Sequence, residues 1–146
     1  MEQFETIQSI TTETIKEVYP HYYPKGAVDF FLKHHSDEHI RKDILDGRVF
    51  LIYSAEGNAA GTVTVKENEI CRLFVLPSFQ GQGFGRELLR FAEETIFEQY
   101  GVITLDASLP AKTIYKKRGY VETKSHSIQT QGGDFLCYDV MQKTMK

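Results

Sequence analysis

The sequence has few cysteines, no tryptophan and no long apolar run. Its two cysteines, Cys71 and Cys137, are too few and too far apart for a disulfide framework or a Cys-x-x-Cys site. We interpret both as free thiols, which are typical of a reducing compartment. No segment approaches the roughly 20 apolar residues of a membrane span, and residues 1–5 are acidic where a signal peptide is basic. We therefore expect a cytoplasmic protein that makes no membrane contact.

An excess of positive charge is also missing. The chain carries 17 lysines and arginines against 20 acidic residues, and its net charge is −3. This balance gives nucleic-acid binding no electrostatic support. The 146 residues, of which 41% are hydrophobic, are enough for one domain with a substantial core. Because no linker, repeat or low-complexity tract divides the chain, we expect a single domain over residues 1–146.

The histidine-rich segment lacks a complete metal-binding pattern. His35 and His39 are four residues apart, a spacing that can hold a metal on a helix. Zinc-protease motifs require glutamate directly after the first histidine, and Ser36 stands there instead. No third ligand is evident, so we expect exposed polar surface from His34 to His39 and no metal site.

Apolar periodicity and turn signals predict a mixed α/β fold. We expect a short strand within residues 2–10, a helix from Thr11 to about Tyr19, and two short helices between Pro24 and Asp46. Further predicted strands cover residues 48–53, 59–66, 69–76, 102–105, 120–129 and 135–141, and further helices cover residues 83–100 and 110–118. Antiparallel strands thus lead into a β-α-β crossover, and a strand pair closes the chain.

The most informative segment is the glycine-rich turn at residues 80–86, Gln-Gly-Gln-Gly-Phe-Gly-Arg, between an apolar strand and an amphipathic helix. Such a turn gathers free backbone N–H groups at the positive end of a helix dipole, which favours a phosphate. A Walker loop would end in Gly-Lys-Ser/Thr, whereas this segment ends Gly85-Arg86-Glu87. The dinucleotide pattern Gly-x-Gly-x-x-Gly also fails, because Arg86 or Leu88 stands at its third glycine. The turn is predicted to bind a different phosphate-bearing cofactor.

The pattern that does fit is Gln-x-x-Gly-x-Gly, formed by Gln80, Gly83 and Gly85. It resembles motif A of the GCN5-related N-acetyltransferases (the GNAT family), in which this turn binds the pyrophosphate of acetyl-coenzyme A. Residues 108–120 are similar to a later family motif, Asn-x-x-Ala-x-x-x-Tyr-x-x-x-Gly-Phe, with Ser108 in place of the asparagine. The resemblance implies a GNAT-like mixed sheet, acetyl-coenzyme A as donor and coenzyme A as product.

The resemblance also implies which residues hold the donor. In the family, the strand before the turn offers backbone groups to the pantetheine arm. Basic side chains after residue 110 are candidates for the coenzyme A phosphates, or they only complement a helix C-terminus. The implied cofactor-binding residues are Leu73, Phe74, Val75, Gln80, Gly81, Gln82, Gly83, Phe84, Gly85, Arg86, Ser108, Lys112 and Tyr115.

Acetyl transfer to an amine needs one group that removes the amine proton and another that protonates the departing thiolate. Tyr115 stands at the tyrosine of the later motif, and a phenol pKa of ~10 suits thiolate protonation. The alternative is a tyrosine that only packs and binds coenzyme A. Glu69 is the candidate base, because some protein-acetylating family members carry their catalytic glutamate at this spacing. Asp106, at a strand end, is a rival, and a water chain is the third alternative.

The acceptor is predicted to be a primary amine of a small molecule, peptide or protein, acetylated by direct transfer. In the family, the segment after the first strand walls the acceptor site, so Tyr22 and Tyr23 are candidate contacts, together with Asp106. Packing against the sheet is the alternative for the tyrosines. A non-catalytic acyl-coenzyme A sensor is the alternative function, because Ser108 departs from the motif and the base is unassigned. Edge-strand pairing into a homodimer stays open.

Overall fold

The computed structural model describes residues 3–109, 111–130 and 132–145. Its strands are β1 (Val49–Tyr53), β2 (Ala59–Lys66), β3 (Glu69–Val75), β4 (Val102–Ala107), β5 (Val121–Gln129) and β6 (Phe135–Thr144). They form one sheet in the order β1-β2-β3-β4-β6-β5, in which β3 and β4 are parallel and the other neighbours antiparallel. The predicted mixed α/β fold, with its central β-α-β unit and closing strand pair, is confirmed.

Helices cover both faces of this sheet. In the described residues they are α1 (Gln3–Val18), α2 (Lys25–His34), α3 (Asp37–Leu45), α4 (Phe84–Phe97) and α5 (Lys112–Lys117). Side chains of α1 and α2 pack on one face, whereas those of α4 and α5 pack on the other. The two short helices predicted between residues 24 and 46 are confirmed as α2 and α3. None of the helices described is both long and apolar enough to cross a bilayer.

The strand predicted within residues 2–10 is wrong, because residues 3–10 form the first part of α1 and residue 2 lies outside the described ranges. Phe4, Ile7 and Ile15 are buried along this helix. Their spacing follows the 3.6-residue period of a helix. Nine residues contain too few apolar positions to show that period, and it emerges only when the window extends to Ile15.

The predicted apolar face of α4 is confirmed. Leu88, Leu89, Ala92 and Ile96 are each at most 3% exposed, and they pack against β2, β3 and β4. Burial of a large aliphatic side chain contributes about 1.5–3 kcal/mol. This packing fixes the N-terminus of α4 just beyond the end of β3.

A β-bulge in β3 decides which side chains face which layer. Ile70 and Arg72 pair with adjacent residues of β2, so Cys71 is an extra residue between them. Before the bulge, Ile70 packs in the core beside α4. After it, Leu73 packs there, whereas Phe74 packs in the core beside α1 and α2. The extra residue thus inverts the alternation of side chains along the strand.

Candidate active site

The two parallel strands at the centre of the sheet diverge. β3 pairs with β4 at Glu69 and Ile70, although β3 itself continues to Val75. The space between the strands opens into a cavity of about 200 Å³, the central cavity. Side chains of α2, α5 and the 3₁₀ turn Tyr19–His21 complete its wall. Beyond Ile70, the backbone edge of β3 that faces β4 therefore borders the central cavity and is not paired with β4.

The backbone of β3 offers hydrogen-bonding groups to this cavity. The Leu76 N–H donates to a β2 carbonyl at 2.9 Å, and hydrogen-bonded pairs alternate along an antiparallel ladder. The backbone groups of Phe74 therefore face β2, and those of Leu73 and Val75 face the opening. The Gln80 side-chain amide donates to the Val75 carbonyl at 3.0 Å. This bond joins the glycine-rich turn to the exposed edge.

The glycine-rich turn lies beyond the end of β3 and leads into α4. Gly81 and Gly83 have φ values of +78° and +92°, conformations that favour glycine. The Glu87 N–H donates to the Gly83 carbonyl at 3.1 Å, so helix geometry leaves the N–H groups of residues 84–86 without intrahelical acceptors. These groups and the helix dipole form a cradle that fits an anion such as a pyrophosphate.

Tyr115 reaches the central cavity from α5. It is 5% exposed, and its ring packs edge-on against Tyr120 with 5.5 Å between ring centroids. Burial raises the pKa of the Tyr115 phenol well above its ordinary value, and the nearby Tyr19 adds to this effect. The phenol therefore keeps its proton at neutral pH and can act as a proton donor.

Among the tyrosines before α2, Tyr19 lines the central cavity, a placement that the sequence alone does not single out. Burial raises the pKa of Tyr19 to about 12, and a hydrogen bond with the Ser108 side chain opposes the increase. Tyr23 is buried, and its hydroxyl accepts a hydrogen bond from the Leu109 N–H at 2.6 Å. Tyr22 is 53% exposed. Tyr19 and Tyr23 thus hold the loop after β4, while acceptor contacts of Tyr22 and Tyr23 stay predictions.

A second cavity of about 260 Å³, the histidine cavity, adjoins the central one. Asp106 lines both cavities, whereas Glu69 lines the histidine cavity. The Cys71 thiol donates to Glu69 Oε1 at 3.3 Å. Burial and the Glu69 charge raise the pKa of that thiol to about 12, so it stays protonated at neutral pH. The residues that line the histidine cavity are His34, His35, His39, Lys66, Glu69, Ile70, Cys71, Arg72 and Asp106.

The prediction of exposed polar surface is wrong for His35. Its ring packs edge-on against Phe74, with 5.5 Å between centroids, and burial lowers the pKa of His35 to about 3. The turn from α2 to α3 places this ring over β3, a tertiary contact without a local sequence signature. His34 and His39 are exposed. Within the described ranges, no three His, Cys, Asp or Glu side chains form a group that could hold a metal ion.

A buried ion cluster lies at one side of the histidine cavity. Arg72 pairs with Asp43 of α3, and both side chains are almost fully buried. Lys66 Nζ lies 3.1 Å from the same carboxylate. Burial lowers the pKa of Arg72 to about 10, so the guanidinium is still charged at neutral pH. Asp43 partly compensates both positive charges from outside the cavity lining, and Glu69 and Asp106 are the carboxylates that line the cavity.

An outer groove of about 970 Å³ runs between α2 and the β5–β6 hairpin. The Gly26 N–H donates to Asp134 Oδ2 at 3.0 Å, and a Cβ atom at Gly26 would collide with Thr130. Glycine thus lets α2 approach the hairpin closely. Phe30 and His34 line both the groove and the central cavity, so the two spaces meet there.

Lys112, predicted to contact the cofactor, pairs with two carboxylates. Its Nζ lies 2.8 Å from Glu122 and 2.5 Å from Asp139. The hydrogen bonds to Asp139 and Glu122 raise the pKa of Lys112. A phosphate would compete with both carboxylates for this ammonium group, and the coenzyme A contact of Lys112 stays a prediction.

Comparison with known proteins finds an acetyltransferase family and several acetyltransferase structures. A family described as "Acetyltransferase (GNAT) domain" matches residues 18–141. A GCN5-related N-acetyltransferase from Rhodopseudomonas palustris has a TM-score of 0.86 at 22% identity, over 99% of this chain and 91% of its own. PaiA N-acetyltransferase from Thermoplasma acidophilum, solved with coenzyme A, has a TM-score of 0.72 at 20% identity, over 98% and 93%. YncA from Salmonella typhimurium, solved with acetyl-coenzyme A, has a TM-score of 0.73 at 15% identity, over 99% and 90%. No curated protein sequence matches significantly.

Proposed function

Because the chain belongs to the GNAT acetyltransferase family, we propose that it transfers an acetyl group from acetyl-coenzyme A directly to a primary amine. One observation carries the proposal: β3 and β4 diverge into a cavity that a protonated tyrosine borders. The glycine-rich turn lies at the end of the same strand. A donor could therefore extend from the turn to the cavity along one strand edge.

The donor is proposed to lie along β3 with its pyrophosphate at the N-terminus of α4. The backbone groups of Leu73 and Val75 match the amides of a pantetheine arm, and the N–H groups of residues 84–86 match the pyrophosphate oxygens. When bound, acetyl-coenzyme A supplies an acyl group activated as a thioester. The structures of PaiA and YncA, which contain coenzyme A and acetyl-coenzyme A, support this choice of donor.

Tyr115 is the proposed acid that protonates the departing thiolate. The phenol lies in the wall of the central cavity and is protonated at neutral pH. Its raised pKa does not prevent the transfer, because burial disfavours a thiolate in the same cavity as it disfavours a phenolate. A proton is thus exchanged between two groups whose charged forms are both destabilised.

Glu69 is the proposed final acceptor of the amine proton, and Asp106 is its rival. Asp106 lines the central cavity, where the reaction would occur, and Glu69 lines the adjoining histidine cavity. A proton that reaches Glu69 must therefore cross from one cavity to the other. The Cys71 thiol is not proposed to carry the acetyl group, because its pKa of about 12 leaves little thiolate at neutral pH.

The acceptor is proposed to be the primary amine of a small molecule or of a peptide. It would enter through the outer groove, whose 970 Å³ exceeds what a simple alkylamine needs. Asp106 is proposed to attract its positive charge, because it lines the central cavity that adjoins the groove. Tyr22 and Tyr23 line neither space, and their contacts with the acceptor stay predictions from the sequence.

A thiol-release assay tests the proposed function. Acetyl-coenzyme A would be incubated with the protein and a panel of alkylamines, polyamines, aminoglycosides and peptides, and the acetylated product identified by mass spectrometry. We expect amine-dependent release of coenzyme A. Tight binding of acetyl-coenzyme A by calorimetry, without release in the presence of any amine, would favour a non-catalytic sensor instead.

Two glycine variants test the donor site. Gly83→Asp would place a carboxylate beside the pyrophosphate, and we expect the affinity for acetyl-coenzyme A to fall at least ~30-fold, or ~2 kcal/mol. Gly57→Asp is the matched control, because Gly57 also has a positive φ, +88°, but lies in the β1–β2 turn. Calorimetry on both folded variants gives the result, and equal affinities would contradict the assignment of the turn.

A further inference from the structure

One side chain borders every space of the site. Among the described residues, His34, the last residue of α2, lines the outer groove, the central cavity and the histidine cavity. It is exposed, so a ligand can reach its imidazole. Asp106 lines two of these spaces, and Glu69 lines one. His34 therefore stands where an amine from the groove would meet the central cavity.

The neighbours of His34 hold its ring and set its charge. The ring stacks on Phe30, with 6.1 Å between centroids and 7° between planes, and it meets His35 edge-on at 4.8 Å. Partial burial lowers the pKa of His34 from its ordinary value; the charges of His39, Arg72 and Lys66 lower it further, and that of Asp106 raises it. The imidazole is thus neutral at pH 7 and offers a lone pair. The titratable and charged groups that face it are His35, His39 of α3, Lys66 of β2, Arg72 of β3 and Asp106 of β4.

Other groups that border both cavities are less suited to accept a proton. Nδ1 of His35 is buried without a hydrogen-bond partner, and its surroundings exclude the charged ring. The Cys71 thiol is already protonated, and its S–H group donates a hydrogen bond to Glu69. Asp106 lies at the end of β4 and does not line the outer groove. These placements leave His34 as the accessible imidazole between groove and cavities.

We propose that His34 accepts the proton of the acceptor ammonium and passes it through the histidine cavity toward Glu69. An N–H bond of the ammonium breaks and an N–H bond to the imidazole forms, while the electron pair stays on the amine nitrogen and later forms the amide bond. The imidazolium returns to neutral by giving its proton to the Glu69 carboxylate or to water. The inference rests on the proposed acetyl transfer and identifies the first proton acceptor in it.

Substitution of His34 tests this role through the pH profile. We expect His34→Gln to lower kcat/KM about 10²-fold at pH 7. In the wild type, kcat/KM should fall as the pH drops through the pKa of His34, below the ordinary histidine value of 6.5; this acidic limb should disappear in the variant. His21→Gln, a change at an exposed histidine of the 3₁₀ turn, is the control and should keep the limb. An unchanged limb in His34→Gln would overturn the proposal.

A second measurement does not depend on turnover. With ¹³C-labelled histidine and saturating coenzyme A, propylamine is added as the probe, and the imidazole resonances are followed by NMR. We expect the His34 resonance to shift and its pKa to change, and the His21 resonance to stay constant. Absence of a His34 shift would refute the proposal even if His34→Gln fails to fold. Lack of thiol release by the wild type would instead count against the proposed function.

Discussion

Tyr115 and Tyr120 pack against each other, yet the two side chains have different surroundings. Tyr115 lines the central cavity, whereas the Tyr120 hydroxyl donates to Glu93 at 2.9 Å. We expect Tyr115→Phe to slow the chemical step about 10²-fold with little change in acetyl-coenzyme A affinity. Tyr120→Phe should lower the free energy of unfolding by about 1 kcal/mol and keep kcat. The result would contradict the role of Tyr115 as the acid if Tyr115→Phe had the same kcat as the wild type at saturating substrates, under conditions in which the chemical step limits the rate.

The two candidate carboxylates differ in which cavity they border, and substitution distinguishes them. Glu69→Gln should lower kcat/KM about 10²-fold, because the proton lost by the amine then lacks its proposed final acceptor. Glu67→Gln, two residues earlier and exposed, is the matched control and should change kcat/KM less than twofold. A small effect of Glu69→Gln beside a large effect of Asp106→Asn would move the assignment to Asp106.

At the residue scale, the sequence predicts what depends on local conformation. The glycines of residues 80–86 form the expected turn before α4, with positive φ at Gly81 and Gly83, and Tyr115 lines the central cavity. Tyr19 and His35 could not be placed, because their positions depend on how the helices before β1 fold over β3. No local pattern reports such contacts between distant segments.

At the scale of elements, a buried carboxylate holds α4 to the end of the sheet. Glu93 of α4 is 5% exposed and accepts hydrogen bonds from Arg118, Tyr120 and Lys143. Burial raises the pKa of Glu93, but these hydrogen bonds outweigh it, and the pKa lies below its usual value. The cluster therefore depends on an ionised Glu93.

Glu93→Gln should lower the free energy of unfolding by about 3 kcal/mol, because two partly buried cations lose their carboxylate. Since folding lowers the pKa of Glu93, its contribution is present above the unfolded value of ~4.3 and is lost as the pH falls through the native value. Urea titrations at pH 7 and pH 3 measure both effects. The control is Glu87→Gln, which breaks an exposed pair with Arg90 and should cost at most ~1 kcal/mol. Equal losses of unfolding free energy in the two variants would contradict the stabilising role of the Glu93 cluster.

Elements with a long, regular apolar pattern can be predicted from the sequence, whereas segments of fewer than about ten residues do not show their period clearly. The stripe from Leu88 to Ile96 covers more than two helical turns and identifies α4. The sequence wrongly predicts a strand for the first part of α1, because too few apolar residues fall between residues 2 and 10 to show a helical period. The turn residues between β5 and β6 predict the position of this hairpin, although Gln131 lies outside the described ranges.

At the scale of the whole molecule, the site is assembled by topology. Its cavities take side chains from α2, α3, α5 and five strands of the sheet, β2 to β6. The order of elements predicts that a β-α-β unit lies at the centre. The divergence of β3 from β4 and the meeting of three cavities at His34 arise from the packing of helices against that sheet. Such packing joins residues far apart in sequence and has no periodic signal.

Because Cys71 is an extra residue in β3, the side chains that face a given layer change from even-numbered to odd-numbered along the strand. Up to Ile70, even-numbered side chains point toward α4, and from Arg72 onward odd-numbered ones do. Because Ile70 and Arg72 already pair with adjacent residues of β2, a chain without Cys71 would keep the register of the strand and both of its faces. Arg72 would still meet Asp43, and Phe74 would still border the central cavity. Cys71 is therefore a position whose removal the ladder can absorb without turning any later side chain to the opposite layer.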